Sequence, residues 1–310
     1  MGQGVNVLNA DERKALALKL YGAFYETYEE LDNNQEFVRM ADEIVGTGKG
    51  VALGYLKGLP SVSEMKKARV MNRLDPQNFS IDYKKWDATI LIDKDDLMND
   101  QIGQYDKAVR GMAENHKNFE QKRFVTALSS NGICYDGTAF FGSSHHGSQD
   151  NSLTSVAASA IAVPTVAEAQ EALRSIRTEM MGFEKDMGEP AGFGMGVLDV
   201  ICNPQLAAIF GQIAKNGTIA NNDNELAGTI RVIPSAYLGT SSTTTTFYVL
   251  DNNKVSRPIV KFTRMKLELN SALEDSHLAI TQDDFAFTST ARFETSYGDW
   301  KGAIKYVFTT

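Results

Sequence analysis

The sequence predicts an α+β fold with long, extended pieces, and three observations predict it. Helix-spaced apolar stripes run through residues 11–31 and 100–130; strand-like alternation marks 79–92 and, without a break, 285–297; and the region between them interleaves short helices with short strands. A 310-residue chain with 43% hydrophobic and 23% charged residues can bury a large core, and its length points to about two domains.

Taken in order, Leu16, Leu20, Phe24, Tyr28 and Leu31 recur at spacings of four and three and predict a first helix over 11–31. Val51 to Lys57 reads as a strand that Leu59-Pro60 interrupts, and Ser61 to Gln77 is polar and charged. Phe79, Ile81 and Tyr83 alternate with polar residues. Trp86, Ala88, Ile90 and Ile92 resume the alternation on the other parity, which predicts a bulge or twist near Lys84-Lys85. Together these segments predict one long two-stranded ribbon with a large tip. Such a pair is marginal alone, so it needs a surface to lie on. Asn99-Asp100 offers caps for a long helix, with Ile102, Tyr105, Val109, Met112 and Phe119 on one stripe that drifts onto Phe124, Val125 and Leu128. Asn131-Gly132 ends it, and a Gly-rich polar loop follows to Ser155.

In the second half, Thr165 and Glu168 form a capping box ahead of Ala169, Leu173, Ile176, Met180 and Phe183. Gly196 to Cys202 reads as a buried strand, and Asn203-Pro204 starts a helix to about Lys215. Short strands are expected at 229–233, 247–250 and 259–262, with the Ser/Thr run 240–246 as a loop tip. The 285–297 strand spans ~43 Å at ~3.3 Å per residue, and Gly298-Asp299 turns it into a last strand, 303–308.

Composition excludes several classes. A net charge of -8 without clustered Lys and Arg argues against stoichiometric nucleic-acid neutralisation, and no run of five or more like charges makes an acidic or basic tail. No stretch approaches the ~20 apolar residues of a membrane span, and Met1 to Ala10 lacks the features of a secretory signal, so cytoplasmic synthesis is expected. Two cysteines, Cys134 and Cys202, make no disulfide framework.

Each chemical candidate has a plainer structural reading. Gly46-Thr47-Gly48-Lys49-Gly50 lacks the leading Gly, with Glu43 in its place, and the Ser/Thr of a phosphate loop, so it reads as a hinge. Gly192 to Gly196 is too compressed for a dinucleotide fingerprint and precedes a strand. His145-His146 with Cys134 and Asp136 could be drawn as a metal site, but adjacent histidines point apart and no second ligand pair exists. Ser143, Ser144, His145 and Asp150 are hydrolase residue types without a nucleophile elbow. Asp93, Asp95 and Asp96 lack the rest of a calcium loop, and His116 and His277 are lone. No catalytic, cofactor or metal residue is assigned, and the chain is expected not to be an enzyme.

Four ordered blocks carry a family resemblance. Tyr55-Leu56-Lys57-Gly58-Leu59-Pro60-Ser61 is similar to a "WLGxLPS" turn. Asn78-Phe79-Ser80-Ile81 with Lys85-Trp86-Asp87-Ala88-Thr89 resembles "YxIxNRKFEAT". Ile92 to Asp96 with Asp100 to Tyr105 resembles "VxRDDIEDDQxGxY". Cys134-Tyr135-Asp136-Gly137-Thr138-Ala139-Phe140-Phe141, then Ser144-His145 and Asn151-Ser152, resembles "CYDGxxFF…SHP…SN", with His146 where the motif has Pro. These motifs belong to the Mu-like major head subunit family, and the likeness covers about residues 16–155.

The resemblance implies the HK-97 capsid fold: an N-arm at 1–48, an extended E-loop at 49–98, a peripheral (P) domain with its spine helix at 99–155, an axial (A) domain at 156–244, P-domain return strands at 245–294 and closing A-domain strands at 295–310. It implies a major capsid protein that assembles as hexamers and pentamers into an icosahedral shell around double-stranded DNA of a tailed phage or prophage. No cofactor, membrane or sequence-specific nucleic-acid contact is expected. Assembly in the host cytoplasm, a separate scaffold because the N-terminal segment is short, and portal and decoration partners are further expectations. Val51, Leu53, Tyr55, Lys57 and Trp86 on the ribbon are the expected inter-subunit contacts. Covalent crosslinking, known in some relatives, is not carried over, since Lys57, Lys66 and Lys67 have no identified partner. An encapsulin-like cargo compartment of the same fold and a metal-dependent hydrolase built on the His145 loop are the alternatives.

Overall fold

The computed structural model describes residues 10–34, 36–46, 48, 50–57, 75–93, 102–157, 163–185, 188–239, 243–272 and 284–310. Helix α1 (Ala10–Asn34) and a short α2 (Glu36–Met40) lead to strands β1 (Asp42–Val45), β2 (Gly50–Lys57), β3 (Asp75–Asp82) and β4 (Lys84–Asp93). Helix α3 (Ile102–Ser130) precedes β5 (Ser152–Val156), α4 (Val166–Gly182), β6 (Leu198–Cys202) and α5 (Pro204–Lys215). Two short strands, β7 (Thr218–Ile219) and β8 (Asn222–Asp223), form a tight hairpin, followed by β9 (Ile230–Pro234), β10 (Thr244–Leu250), β11 (Ile259–Ala272), β12 (Asp284–Tyr297) and β13 (Ala303–Thr309).

Two mixed sheets organise the chain. The first has the order β1-β11-β12-β4, the second β5-β13-β10-β6-β9. Against the first sheet lie α1 and α3: Leu20 and Phe24 meet Val109, Met112, Ile92, Phe285 and Phe287 in one core. The second sheet carries α4 and α5, with Leu173, Ile176, Val200, Phe210, Phe247 and Phe308 in the other core. Helix α3 serves both. Its 29 residues span ~43 Å at ~1.5 Å per residue, and its drifting stripe places Val109 and Met112 in the first core and Phe124, Val125 and Leu128 in the second.

Local signals set several boundaries. Thr165 and Glu168 form the full capping box of α4, and Asn203 caps α5 with Pro204 at its first position. Asn131 ends α3 with φ 47°, a left-handed conformation that Asn tolerates. Gly132 follows, and a Cβ there would meet the Tyr297 ring at 3.0 Å, so the ring would have to give by a few tenths of an ångström. The caps expected at Asn99-Asp100 lie outside the described residues.

Four expectations are corrected. The ribbon is shorter than expected: β2 pairs with β3 alone, the chain breaks at Tyr83, and β4 leaves to join β12 over Lys84 to Asp93. The parity change therefore marks a passage between sheets, since alternation reads the same in either. Residues 152–156, taken as loop, form β5, parallel to β13. The expected short strand at 259–262 extends to Ala272, with two register shifts that break its alternation. Strand β10 lies in the five-stranded sheet between β13 and β6, so the chain returns to the first sheet at β11, not at 245.

His116 is buried between α3 and the first sheet, its Nε2 2.6 Å from the Ser289 hydroxyl, which donates to the Ala88 carbonyl at 3.2 Å. Burial lowers its pKa against the opposing pull of Glu120 and Asp87. A neutral buried histidine gives stability that is complete above its unfolded value of about 6.5 and is lost as pH falls below it. Thermal unfolding of the unassembled subunit between pH 7.5 and 5 should show a smaller acid loss in His116→Gln than in wild type; equal losses contradict this.

Candidate functional site

Two regions could carry function: the loop of 131–151, rich in chemically active residue types, and the β2–β3 ribbon with the predicted contact residues.

The loop is folded around its own polar groups. His145 is 2% exposed, its Nδ1 lies 2.6 Å from Asp136 Oδ2 and its Nε2 3.2 Å from the Phe140 carbonyl oxygen. Its ring stacks on Trp300 with centroids 4.0 Å apart. Thr138 donates to Asp136 from its hydroxyl (2.8 Å) and backbone amide (3.2 Å). Burial alone would raise the Asp136 carboxyl, but the hydrogen bonds from His145 and Thr138 outweigh it and hold it below its ordinary value.

This arrangement does not match a hydrolase. A catalytic histidine turns one nitrogen to a nucleophile, whereas both His145 nitrogens face acceptors inside the protein, and Ser143 and Ser144 are exposed. Among the described residues no three His, Cys, Asp or Glu side chains converge as metal ligands. Cys134 donates instead to the Gly298 carbonyl at 3.6 Å.

What the loop does is join the two sheets. The buried Asn151 amide donates to the carbonyls of Phe140 (2.8 Å), Ala303 (3.2 Å) and Trp300 (3.3 Å) and accepts from Gly142 N–H (2.9 Å). Asn131 pairs both ways with the Phe141 backbone. Tyr297, the last residue of β12, donates to the Ala127 carbonyl (2.7 Å), accepts from Gly132 N–H (2.6 Å) and stacks on Phe140. Gly298 then passes so close that a Cβ would lie 2.0 Å from the Arg257 carbonyl oxygen. Sequence reasoning singled out this loop for its motif but not Tyr297, Trp300 or Asn151 as its anchors; all three act through contacts distant in sequence.

The ribbon is the opposite case. Its register sets Val51 opposite Ile81, Leu53 opposite Phe79, Tyr55 opposite Gln77 and Lys57 opposite Asp75. Directly opposed residues of an antiparallel pair belong to one face, so Val51, Leu53, Tyr55, Phe79 and Ile81 occupy a single apolar face. At the base of the ribbon, Ile81 is buried against Val260 and Phe262, beside Ile44 and Tyr83. Among the described residues, β2 and β3 pair with no third strand. Trp86 sits elsewhere, within its own chain: its indole N–H donates to the Phe293 carbonyl at 3.0 Å and its ring packs on Phe119 at 4.7 Å.

Comparison with known proteins gives a family and a fold. Residues 14–167 match the family described as Mu-like prophage major head subunit gpT, a range that holds the ribbon, the long helix and the loop. No curated protein sequence is significantly similar to the chain. Among solved structures, the procapsid of bacteriophage JBD30 shares 17% identity at TM-score 0.53, covering 96% of this chain and 75% of that one. The capsid of cyanophage P-SCSP1u shares 13% at TM-score 0.57, covering 86% of each. A virus-like particle from Pyrococcus furiosus shares 12% at TM-score 0.55, covering 94% and 97%. The fold is thus that of HK-97-like capsid proteins.

Two outcomes follow. Burial raises the thiol of Cys134, and that of Cys202 to about 12, so both should resist maleimide at neutral pH in the folded chain and react on denaturation; rapid native labelling contradicts this. Asn151→Ala leaves several buried groups unpaired and should cost about 2–5 kcal/mol in chemical denaturation; a loss below about 1 kcal/mol would contradict its anchoring role.

Proposed function

We infer that this chain, a member of the Mu-like prophage major head subunit gpT family over residues 14–167, is a capsid shell protein whose β2–β3 ribbon binds a neighbouring copy. The family match carries the assignment, and the ribbon supplies the physics. An apolar face on a two-stranded sheet gains roughly 25 cal/mol per Å² when it is covered, and a second copy is the partner a shell provides in every position.

In this reading the first sheet with α1 and α3 is the P domain, the second sheet with α4 and α5 is the A domain, and 50–82 is the working part of the E-loop. The stretch 84–93 belongs to the P-domain sheet, so Val51, Leu53, Tyr55 and Lys57 are the inter-subunit contacts, while Trp86 holds the ribbon's root. Capsomers of five and six copies close an icosahedral shell around double-stranded DNA in the virion, after assembly in the host cytoplasm with scaffold, portal and decoration proteins. A chain of net charge -8 suits a container that must not adhere to the DNA packed inside it. The loop around His145 is structural, and the chain acts without catalysis. Likeness to the Pyrococcus furiosus particle concerns the fold alone, so it does not favour a cargo compartment over a phage head.

Light scattering and electron microscopy of the purified chain should show closed shells; a monomer at every concentration overturns the reading. Leu53→Asp should abolish shells while the free subunit keeps its circular dichroism and unfolding midpoint within ~2 °C, because a surface change is worth ~0.5 kcal/mol or less. Normal assembly of that variant removes the ribbon from the interface.

A further inference from the structure

We propose that the polar cavity between α1, α3 and β11 is a binding site for a small free oxyanion of the class of inorganic phosphate. The inference goes beyond the shell reading and does not depend on it.

The walls of this cavity carry more buried positive charge than their carboxylates neutralise. Lys117 on α3 is 1% exposed, and a lysine is almost never buried so deeply without a partner charge. Its Nζ lies 3.8 Å from the centre of the Tyr28 ring and 3.7 Å from Glu120 Oε2. The same oxygen lies 3.0 Å from Lys261 Nζ on β11, while Glu120 Oε1 accepts from the Tyr28 hydroxyl at 3.2 Å. One carboxylate thus serves two ammonium groups and a hydroxyl. The other carboxylate of the wall, Glu43 on β1, is exposed, accepts from the Thr263 hydroxyl at 2.5 Å, and is matched in charge by the exposed Lys266. Beyond the wall, Glu294 is likewise shared, by Arg123 and by Lys84 at 2.9 Å, so it lends nothing. Lys117 and Lys261 against Glu120 leave one positive charge in excess, and an uncompensated charge held away from water is costly.

Room and surroundings suit an anion. The cavity measures about 110 Å³; a single water needs ~10–15 Å³ of such space, so it admits several waters or one small polyatomic ion. Leu267, Ala291 and Phe293 make part of the wall apolar, which lowers the local dielectric and strengthens each charge. Water hydrates an ammonium but does not cancel its charge. A metal cation is the wrong sign for a wall with two buried lysines, and among the described residues no three His, Cys, Asp or Glu side chains converge on one point. An oxyanion accepts charge-assisted hydrogen bonds from both ammonium groups and neutralises the excess. Lys261 stands between Val260 and Phe262, the seat of Ile81, so an ion held here also stiffens the root of the ribbon.

Titration of the unassembled full-length chain with inorganic phosphate, replacing chloride at fixed ionic strength, tests the site by calorimetry and by thermal unfolding. Saturable binding of one phosphate per chain is expected, with a rise in unfolding midpoint that chloride does not give. Lys117→Met should weaken the binding by about tenfold or more, since it removes a charged donor. Glu120→Gln keeps the shape but removes the competing carboxylate, and should tighten binding by about threefold or more. Opposite signs at two touching residues are what a merely structural role would not produce. Circular dichroism checks the fold of each variant, and Lys261→Gln, expected to weaken binding, replaces Lys117→Met if that chain does not fold. Duplex DNA at equal phosphate concentration should leave the titration unchanged, because a backbone phosphate cannot leave its strand to enter the cavity. A wild-type chain that responds to phosphate no more than to chloride overturns the inference, as does a lysine variant that binds equally or a Glu120→Gln chain that binds no more tightly. Competition by duplex DNA as strong as that of free phosphate overturns the assignment to a free ion. Every arm uses the free subunit, so failure here leaves the shell reading standing, and failure to form shells leaves this site standing.

Discussion

A two-stranded antiparallel ribbon cannot support an apolar face in water, and that constraint governs the rest of the molecule. Val51, Leu53, Tyr55, Phe79 and Ile81 fall on one face by register, and Ile81 at its base is seated against Val260 and Phe262. Isolated hairpins are marginal at best. Covering a handful of large apolar side chains contributes about 1.5–3 kcal/mol each, against the rotational and translational cost of association. Repeated once per subunit around a closed shell, a modest surplus suffices.

Such an arm is useful only on a stiff platform, and the junction of the two sheets provides it. Helix α3 lies in both cores, and where it ends Tyr297 ties its last turn to β12 while Asn151 gathers the carbonyls of Phe140, Trp300 and Ala303. His145 and Asp136, the residues that look most like an active site, are turned inward under Trp300 and spend their hydrogen bonds on the loop. Polar groups sealed in this way specify one backbone path, because each would be costly to leave unpaired. The glycine at 298 permits a close crossing that a side chain would block, and the one at 132 leaves room for the Tyr297 ring.

How much of this was legible in the sequence depended on whether the signal was local. The Thr165 box, the Asn203-Pro204 start and the α3 stripe with its drift are encoded by neighbours a turn apart, and they read correctly. The parting of β4 from the ribbon did not, because Trp86, Ala88, Ile90 and Ile92 alternate identically whether they face a partner molecule or Phe293 and Phe119. Strand β5 hid in a polar loop since its partner, β13, is some 150 residues away in sequence and pairs in parallel. The length of β11 was masked by its register shifts, which break the two-residue period. At the loop, the motif drew attention to His145, but its stacking partner Trp300 carried no sequence mark. The family likeness, read from four short blocks, reached further than the periodicity did because it summed over signals separately too weak.

The claim that the ribbon is completed by a sister molecule is tested most directly by amide hydrogen exchange on the same chain, free and assembled. Backbone amides of 50–57 and 75–82 should exchange rapidly in the free subunit and become protected in the shell, while the two sheets stay protected in both. Equal, strong protection of the ribbon in the free subunit would mean that it is satisfied within its own chain, and would contradict the account.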